Sequence, residues 1–197
     1  MAPRDPEQTR ARILEAAGRL FYRDGIRPVA MDAVAGMAGI TKRTLYYHFD
    51  SKDDLVVAYL RHIGERLDAS LARAMSRRGG SAMTRLLGLF EDFEARFARE
   101  EFRGCPFVNA AAELAESAPA RAEAAAYKER MRAWFEGLVR ELGARDPVEL
   151  SEQLAILLDG AIAIWLVQRD PRSAARAREA ARVLLQSATA TPSPIER

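Results

Sequence analysis

Apolar residues recur every three or four positions along most of this chain. That spacing puts them on one face of an α-helix. Over residues 8–24, Ile13, Leu14, Ala17, Leu20 and Phe21 form such a face, and Gly25 supplies a stop. Met31 to Ala38 reads as a short helix that Gly39 interrupts. Thr41 is placed to cap a second short helix carrying Leu45 and Phe49 on its inner side. Ser51-Lys52-Asp53-Asp54 reads as another N-cap, with acids in the first turn, opening a long helix along Val56, Tyr59, Leu60, Ile63, Leu67 and Leu71.

The pattern breaks between Arg77 and Ser81, and a hinge is expected near the end of the preceding helix. Leu86, Phe90, Phe93 and Phe97 mark the next amphipathic helix. Gly104 and Pro106 mark a loop, and Phe107 to Leu114 a short helix. A long helix follows with Tyr127, Met131, Trp134, Phe135, Leu138 and Leu142, ended by Gly143 and Pro147. Residues 148–168 are apolar on nearly every side from Leu154 onward, which predicts a helix buried all round. Pro171 separates it from a last helix over roughly 173–188. No strand and no internal repeat is expected. The fold class is therefore all-α, with a tail over 191–197 too polar to pack.

The pair over residues 29–55 changes the picture from fold to function. Two short helices joined at Gly39-Ile40 form a helix-turn-helix. Val34, Ala38, Ile40, Leu45 and Phe49 can close a small core with Leu14, Leu20 and Phe21, and Ala35 and Ala38 allow a close crossing. The second helix then has an outer face of Lys42, Arg43, Thr44, Tyr46, Tyr47 and His48. These residue types reach base edges and phosphates in a major groove. The alternative is a solvated polar face, but two adjacent exposed tyrosines ask for a partner.

The string from Ile40 to Phe49, followed by Ser51-Lys52-Asp53-Asp54-Leu55, resembles the recognition-helix signature of the TetR family of bacterial repressors, and Met31 to Ala35 fits its first motif helix. The resemblance implies roles. Lys42, Arg43, Thr44 and Tyr47 would face bases or nearby phosphates, and Tyr46 and His48 the backbone. Lys52 would bind phosphate beside a helix N-terminus, and Thr41 would cap the recognition helix and reach phosphate. Arg4 and Arg10 either reach an adjacent groove or belong to a loose N-terminal arm. The implied organisation is a DNA-binding domain over 1–55, extending into the linking helix, and an effector-binding and dimerisation domain over 56–190.

Such proteins read palindromic half-sites about 34–36 Å apart as homodimers. The last two helices are the candidate interface, through Leu154, Leu157, Leu158, Ala161, Trp165, Ala177, Ala181, Leu184 and Leu185; alternatively they complete the protomer's own core. The aromatic-rich middle supplies a candidate effector pocket: Phe90, Phe93, Phe97, Cys105, Asn109, Met131, Trp134, Phe135 and Trp165, with Phe102, Phe107 and Gln168 nearby. The same residues can be plain packing. A pocket of this character would take a small hydrophobic or aromatic effector. Its binding would respace the recognition helices and release the operator.

Composition adds mostly exclusions. The 30 basic and 28 acidic residues leave a net charge of +2, so any DNA binding depends on where the basic residues sit. A single cysteine, Cys105, precludes an intrachain disulfide and a thiolate zinc site, and no cofactor is expected. Cys105 is either a reactive thiol at a helix start or a small packed residue. The longest apolar run, Leu154 to Val167, is about 14 residues, short of the ~20 that span a bilayer. The N-terminus has no apolar stretch, and a cytoplasmic protein is expected. No nucleophile–base pair, phosphate loop or paired-carboxylate metal pattern appears, so neither an enzyme nor a general protein-interaction module accounts for the basic, tyrosine-bearing helix as well as DNA does.

Overall fold

The computed structural model describes residues 5–114 and 116–189. These residues form helices only: α1 (Pro6–Asp24), α2 (Met31–Ala38), α3 (Lys42–His48), α4 (Lys52–Arg78), α5 (Ala82–Phe97), α6 (Pro106–Glu113), α7 (Ala118–Glu141), α8 (Pro147–Gln168) and α9 (Ser173–Thr189). Arg4 and the expected tail over 191–197 lie outside the described residues.

Local chemistry explains the boundaries. Asp5, Thr41, Ser81 and Asp146 each accept a backbone N–H from the first turn of the helix they open. Ser51 does the same for α4, taking the Asp54 N–H at 3.1 Å. Gly39 ends α2 in the left-handed region at φ 62, a conformation costly for a residue with a Cβ. Its N–H closes on the carbonyls of Ala35 and Gly36. The turn of the motif is thereby short and rigid.

Two compact packing units result. Among the described residues, one joins those up to Leu71 with those from Cys105 to Tyr127; the other joins Ala72–Gly104 with those from Lys128 to Thr189. In the first, Ile13, Ala17, Val34, Ala38, Leu45 and Phe49 share one buried cluster with Leu55, Tyr59 and Leu60 of α4. Ala35 and Ala38 are buried where α2 meets its neighbours, as their size predicts. The same cluster takes in Phe107 and Ala110 of α6 and Ala120 and Ala124 of α7. The packing unit around the helix-turn-helix is thus built from two separated stretches. It does not coincide with the functional division at residue 55, which concerns roles and not contacts.

In the second unit α9 packs on both α8 and α5. Leu154, Leu158, Ile162 and Trp165 of α8 are buried, as are Ala174, Ala177, Ala181 and Leu185 of α9. The expectation that α8 is buried all round is corrected here: Ile156 is 69% and Val167 83% exposed, with Ile164 also open. A helix in this layer covers only one side with its own chain. With 22 residues, α8 is also, among the described residues, the one helix long and apolar enough to cross a membrane by length and composition, so the short-run argument against a span does not hold for the whole helix. Its buried side nevertheless packs in a protein core, and Asp159 forms an ion pair with Lys128 of α7.

Candidate nucleic-acid interface

The seven residues of α3 divide cleanly. Leu45 is fully buried and, with Phe49 just beyond, anchors the helix to the core. Lys42, Arg43, Tyr46 and Tyr47 are exposed, and Thr44 and His48 are partly so. Tyr47 is 80% exposed, an unusual state for a large ring. Its edge meets the His48 ring at 5.3 Å, which limits where both can swing. All eight residues expected to meet DNA therefore lie on α3 or at its cap and the start of α4.

Each polar group in this set has a defined setting. The Thr41 hydroxyl accepts the Thr44 N–H at 3.1 Å and shares a hydrogen bond with the Thr44 hydroxyl at 2.9 Å. The Lys42 ammonium sits 3.0 Å from the Asp32 carboxylate on α2, and this hydrogen bond holds Lys42 above its ordinary pKa. Lys52 donates to the Arg27 carbonyl at 2.9 Å, and its partial burial pulls its pKa below the usual lysine range. Arg43, the third cation, is exposed on the same face.

Three further residues shape the head, of which Arg12 and Glu113 were not anticipated. The Arg12 guanidinium of α1 donates to the Ala38 carbonyl, satisfying the end of α2, and lies 3.0 Å from where a Cβ on Gly39 would sit. Arg10 stacks over the Phe49 ring at 5.1 Å, so it is an ordered part of α1 and not of a loose arm. Glu113 of α6 accepts the N–H groups of Ile26 and Arg27 at 2.6 and 3.0 Å. These pairs are separated by tens of residues, and no local signal marks them.

The expected effector residues fall into two groups. In the second unit, Phe97, Phe102 and Trp165 form a tight ring cluster with centroids 4.9–5.5 Å apart, Phe93 joins at its edge, and the Arg169 guanidinium covers Trp165 at 4.4 Å. Phe90 and Phe135 are fully buried, Trp134 meets Phe135 at 5.5 Å, and Met131 and Trp134 are half-buried. Cys105 and Asn109 belong to the first unit instead. Cys105 is the half-buried N-cap residue of α6, and its side chain makes no capping hydrogen bond. Asn109 lines a crevice with Phe21, Tyr22, Ile26, Tyr59, Pro106, Ala110 and Glu113. Phe107 stacks flat on Tyr127 in the same unit, at 3.8 Å, and burial drives the Tyr59 phenol of the crevice well above its ordinary pKa. Gln168 is exposed at the end of α8.

The residues expected at the interface are mostly enclosed within the protomer. Leu154, Leu158, Ala161, Trp165, Ala177, Ala181 and Leu185 are buried inside the protomer, and Leu157 and Leu184 are half-buried. Side chains already enclosed by their own chain have little surface left for a second one. The apolar surface that α8 and α9 leave open is instead Ile156, Ile164, Val167 and Val183. Gly160 lies on the same face of α8, and a Cβ added there would meet nothing in this chain.

Comparison with known proteins gives this geometry a context. The family model described as bacterial regulatory proteins, tetR family, matches residues 13–59. That described as tetracyclin repressor-like, C-terminal domain, matches residues 82–181. The HTH-type transcriptional regulator TtgR of Pseudomonas putida is 41% identical over 70 residues, which are 36% of this chain and 33% of that protein. The HTH-type transcriptional repressor SCO4008 of Streptomyces coelicolor is 42% identical over 60 residues, 30% of this chain and 31% of that protein. These matches span about a third of the relatives' own length. The crystal structure of SCO4454, a TetR-family transcriptional regulator from Streptomyces coelicolor, has a TM-score of 0.84 at 28% identity, covering 93% of this chain and 97% of that one.

Proposed function

The chain belongs to the tetR family of bacterial regulatory proteins, and from that premise we propose that it is a homodimeric repressor that leaves a palindromic operator when a small hydrophobic or aromatic effector binds. Regulators of this family bind DNA, dimerise and bind small-molecule effectors, and are not enzymes. The observation that carries the reading is α3 itself. A seven-residue helix pinned by Leu45 presents Lys42, Arg43, Tyr46 and Tyr47 outward, with Lys52 at the start of the next helix. Thr41, Thr44 and His48 complete the surface that meets DNA. Phosphate contacts set its register and the base contacts carry the sequence preference.

Dimerisation uses the open apolar stripe of α8 and α9, since an exposed patch of this kind is costly to leave in water. The ring cluster of Phe97, Phe102 and Trp165, with Phe93, supports an aromatic or hydrophobic effector, which would have to part these rings to enter. The place of work is the cytoplasm, where the DNA is. The name of one relative, a transcriptional repressor, supports the direction of control.

The experiment is selection from a pool of random duplexes by the purified chain, run beside a Lys42→Ala, Tyr47→Ala double variant. A palindrome enriched by the unaltered protein and lost in the variant is the expected result. A folded dimer that enriches nothing, even at low salt, would overturn the proposal, because phosphate contacts strengthen steeply as salt falls.

A further inference from the structure

Of the first three helices, α2 alone starts without local help. Asp5 and Thr41 cap α1 and α3, but the residue before α2 is Ala30, which has no side chain to offer its free amides. The loop that delivers α2 is held instead by partners distant in sequence. Gly25 ends α1 at φ 88, and the next two amides turn toward α6. Ile26 and Arg27 both donate to one oxygen of Glu113, which lies 87 residues beyond Ile26 in sequence. The Lys52 ammonium donates to the Arg27 carbonyl of the same loop, near enough to Glu113 that the carboxylate favours the charged lysine.

The fit is close. A Cβ at Gly25 would lie 3.1 Å from that carboxylate oxygen, at a φ that side chains rarely adopt. Glu113, half-buried, lines a crevice with Phe21, Ile26, Tyr59 and Ala110, which are themselves buried. A carboxylate that accepts two amides makes charge-assisted hydrogen bonds, the stronger kind. Glu113 also lies within the stretch matched by the C-terminal family model, although it packs in the unit that holds the helix-turn-helix.

We infer that Glu113 is a positioning residue for DNA binding: by holding the α1–α2 loop it sets α2, and through Arg27 the Lys52 ammonium, in the arrangement that meets DNA. The inference rests on the reading of this head as DNA-binding. Glu113 touches no nucleic acid in this scheme and acts through the loop it grips.

The test uses the full chain with Glu113→Ala and Glu113→Gln, and a labelled duplex recovered by the unaltered protein from a random pool. Amide hydrogen exchange reads the loop, and fluorescence anisotropy reads DNA affinity. Glu113→Ala, which loses both bonds, is expected to speed exchange at Ile26 and Arg27 about tenfold or more and to weaken duplex binding by about tenfold, the low end of the scale for charge-assisted bonds. Exchange at Leu45 should stay unchanged. Glu113→Gln keeps a neutral acceptor, so it should recover part of both effects. Should the alanine variant not fold, the glutamine variant and Gly25→Ala, which crowds the carboxylate, carry the same comparison. Unchanged exchange at Ile26 and Arg27 would overturn the inference. So would faster exchange with duplex affinity within about twofold of the original, or a glutamine variant no better than alanine. Failure of the underlying reading looks different: the unaltered chain would retain no duplex, and both would fall.

Discussion

On the proposed reading Lys42, the first residue of α3, would meet DNA with a competitor already in place, since Asp32 holds its ammonium in the free protein. Both side chains are well exposed, so solvent screens the pair and it contributes little to folding. Its effect belongs to binding. Phosphate must displace Asp32 or tolerate its charge nearby. Asp32→Asn is therefore expected to leave the unfolding midpoint nearly unchanged, to tighten duplex binding, and to steepen its dependence on salt; anisotropy titrations across a salt series would read this. Weaker binding would mean that Asp32 chiefly aims Lys42. At this scale the sequence disclosed the caps well, because Thr41, Ser51 and Gly39 act on amides and carbonyls within a few residues. Asp32, Arg12 and Glu113 escaped because their partners are distant in the chain, and nothing in a helical period says which surface residue will reach across.

Helix α5 depends on a side chain from α4. The Arg78 guanidinium lies over Gly88, where an added Cβ would be 1.6 Å from Nη1, and bonds Glu91 and Asp92 at 3.0 and 2.7 Å. Two opposing effects meet in Gly88→Ala. Alanine favours a helix interior by about 1 kcal/mol. It also evicts Arg78, losing charged hydrogen bonds of about 1.5–3 kcal/mol in a partly exposed setting that reduces their worth. Net destabilisation of about 1 kcal/mol is expected in chemical denaturation. In an Arg78→Ala background the sign should reverse, to a gain of about 1 kcal/mol. Destabilisation in both backgrounds would show that the guanidinium is not what fills the site. Element boundaries were legible because caps, glycines and prolines punctuate the chain. The burial of α8 was not. An apolar residue facing another chain and one facing its own core look identical in a hydropathy pattern.

That ambiguity governs the whole molecule. Residues expected at the interface, such as Leu158 and Ala181, turned out to be enclosed by the protomer, and the open stripe fell on their neighbours. The distinction predicts opposite phenotypes. Ile164→Glu with Val167→Glu should give a folded monomer by sedimentation, with helicity kept, because both sites are open in the protomer. Leu158→Glu should unfold the chain, since a buried carboxylate without a partner costs several kcal/mol. A double variant that stays dimeric would move the interface elsewhere. The all-α class and the recognition helix were readable from periodicity and one motif, whereas the enclosing of the head by α6 and α7 required tertiary packing to see. That enclosure bears on how such a regulator can be recombined. A single crossover in α4 would exchange the helix-turn-helix yet leave Phe107, Ala110, Ala120 and Ala124 behind, and these side chains share a core with Ile13 and Leu45. The transplanted head would inherit a foreign lining. On the proposed reading, new operator preferences are then reached most simply by substitution at Lys42, Arg43, Tyr46 and Tyr47, the exposed residues of α3, which lie outside that core.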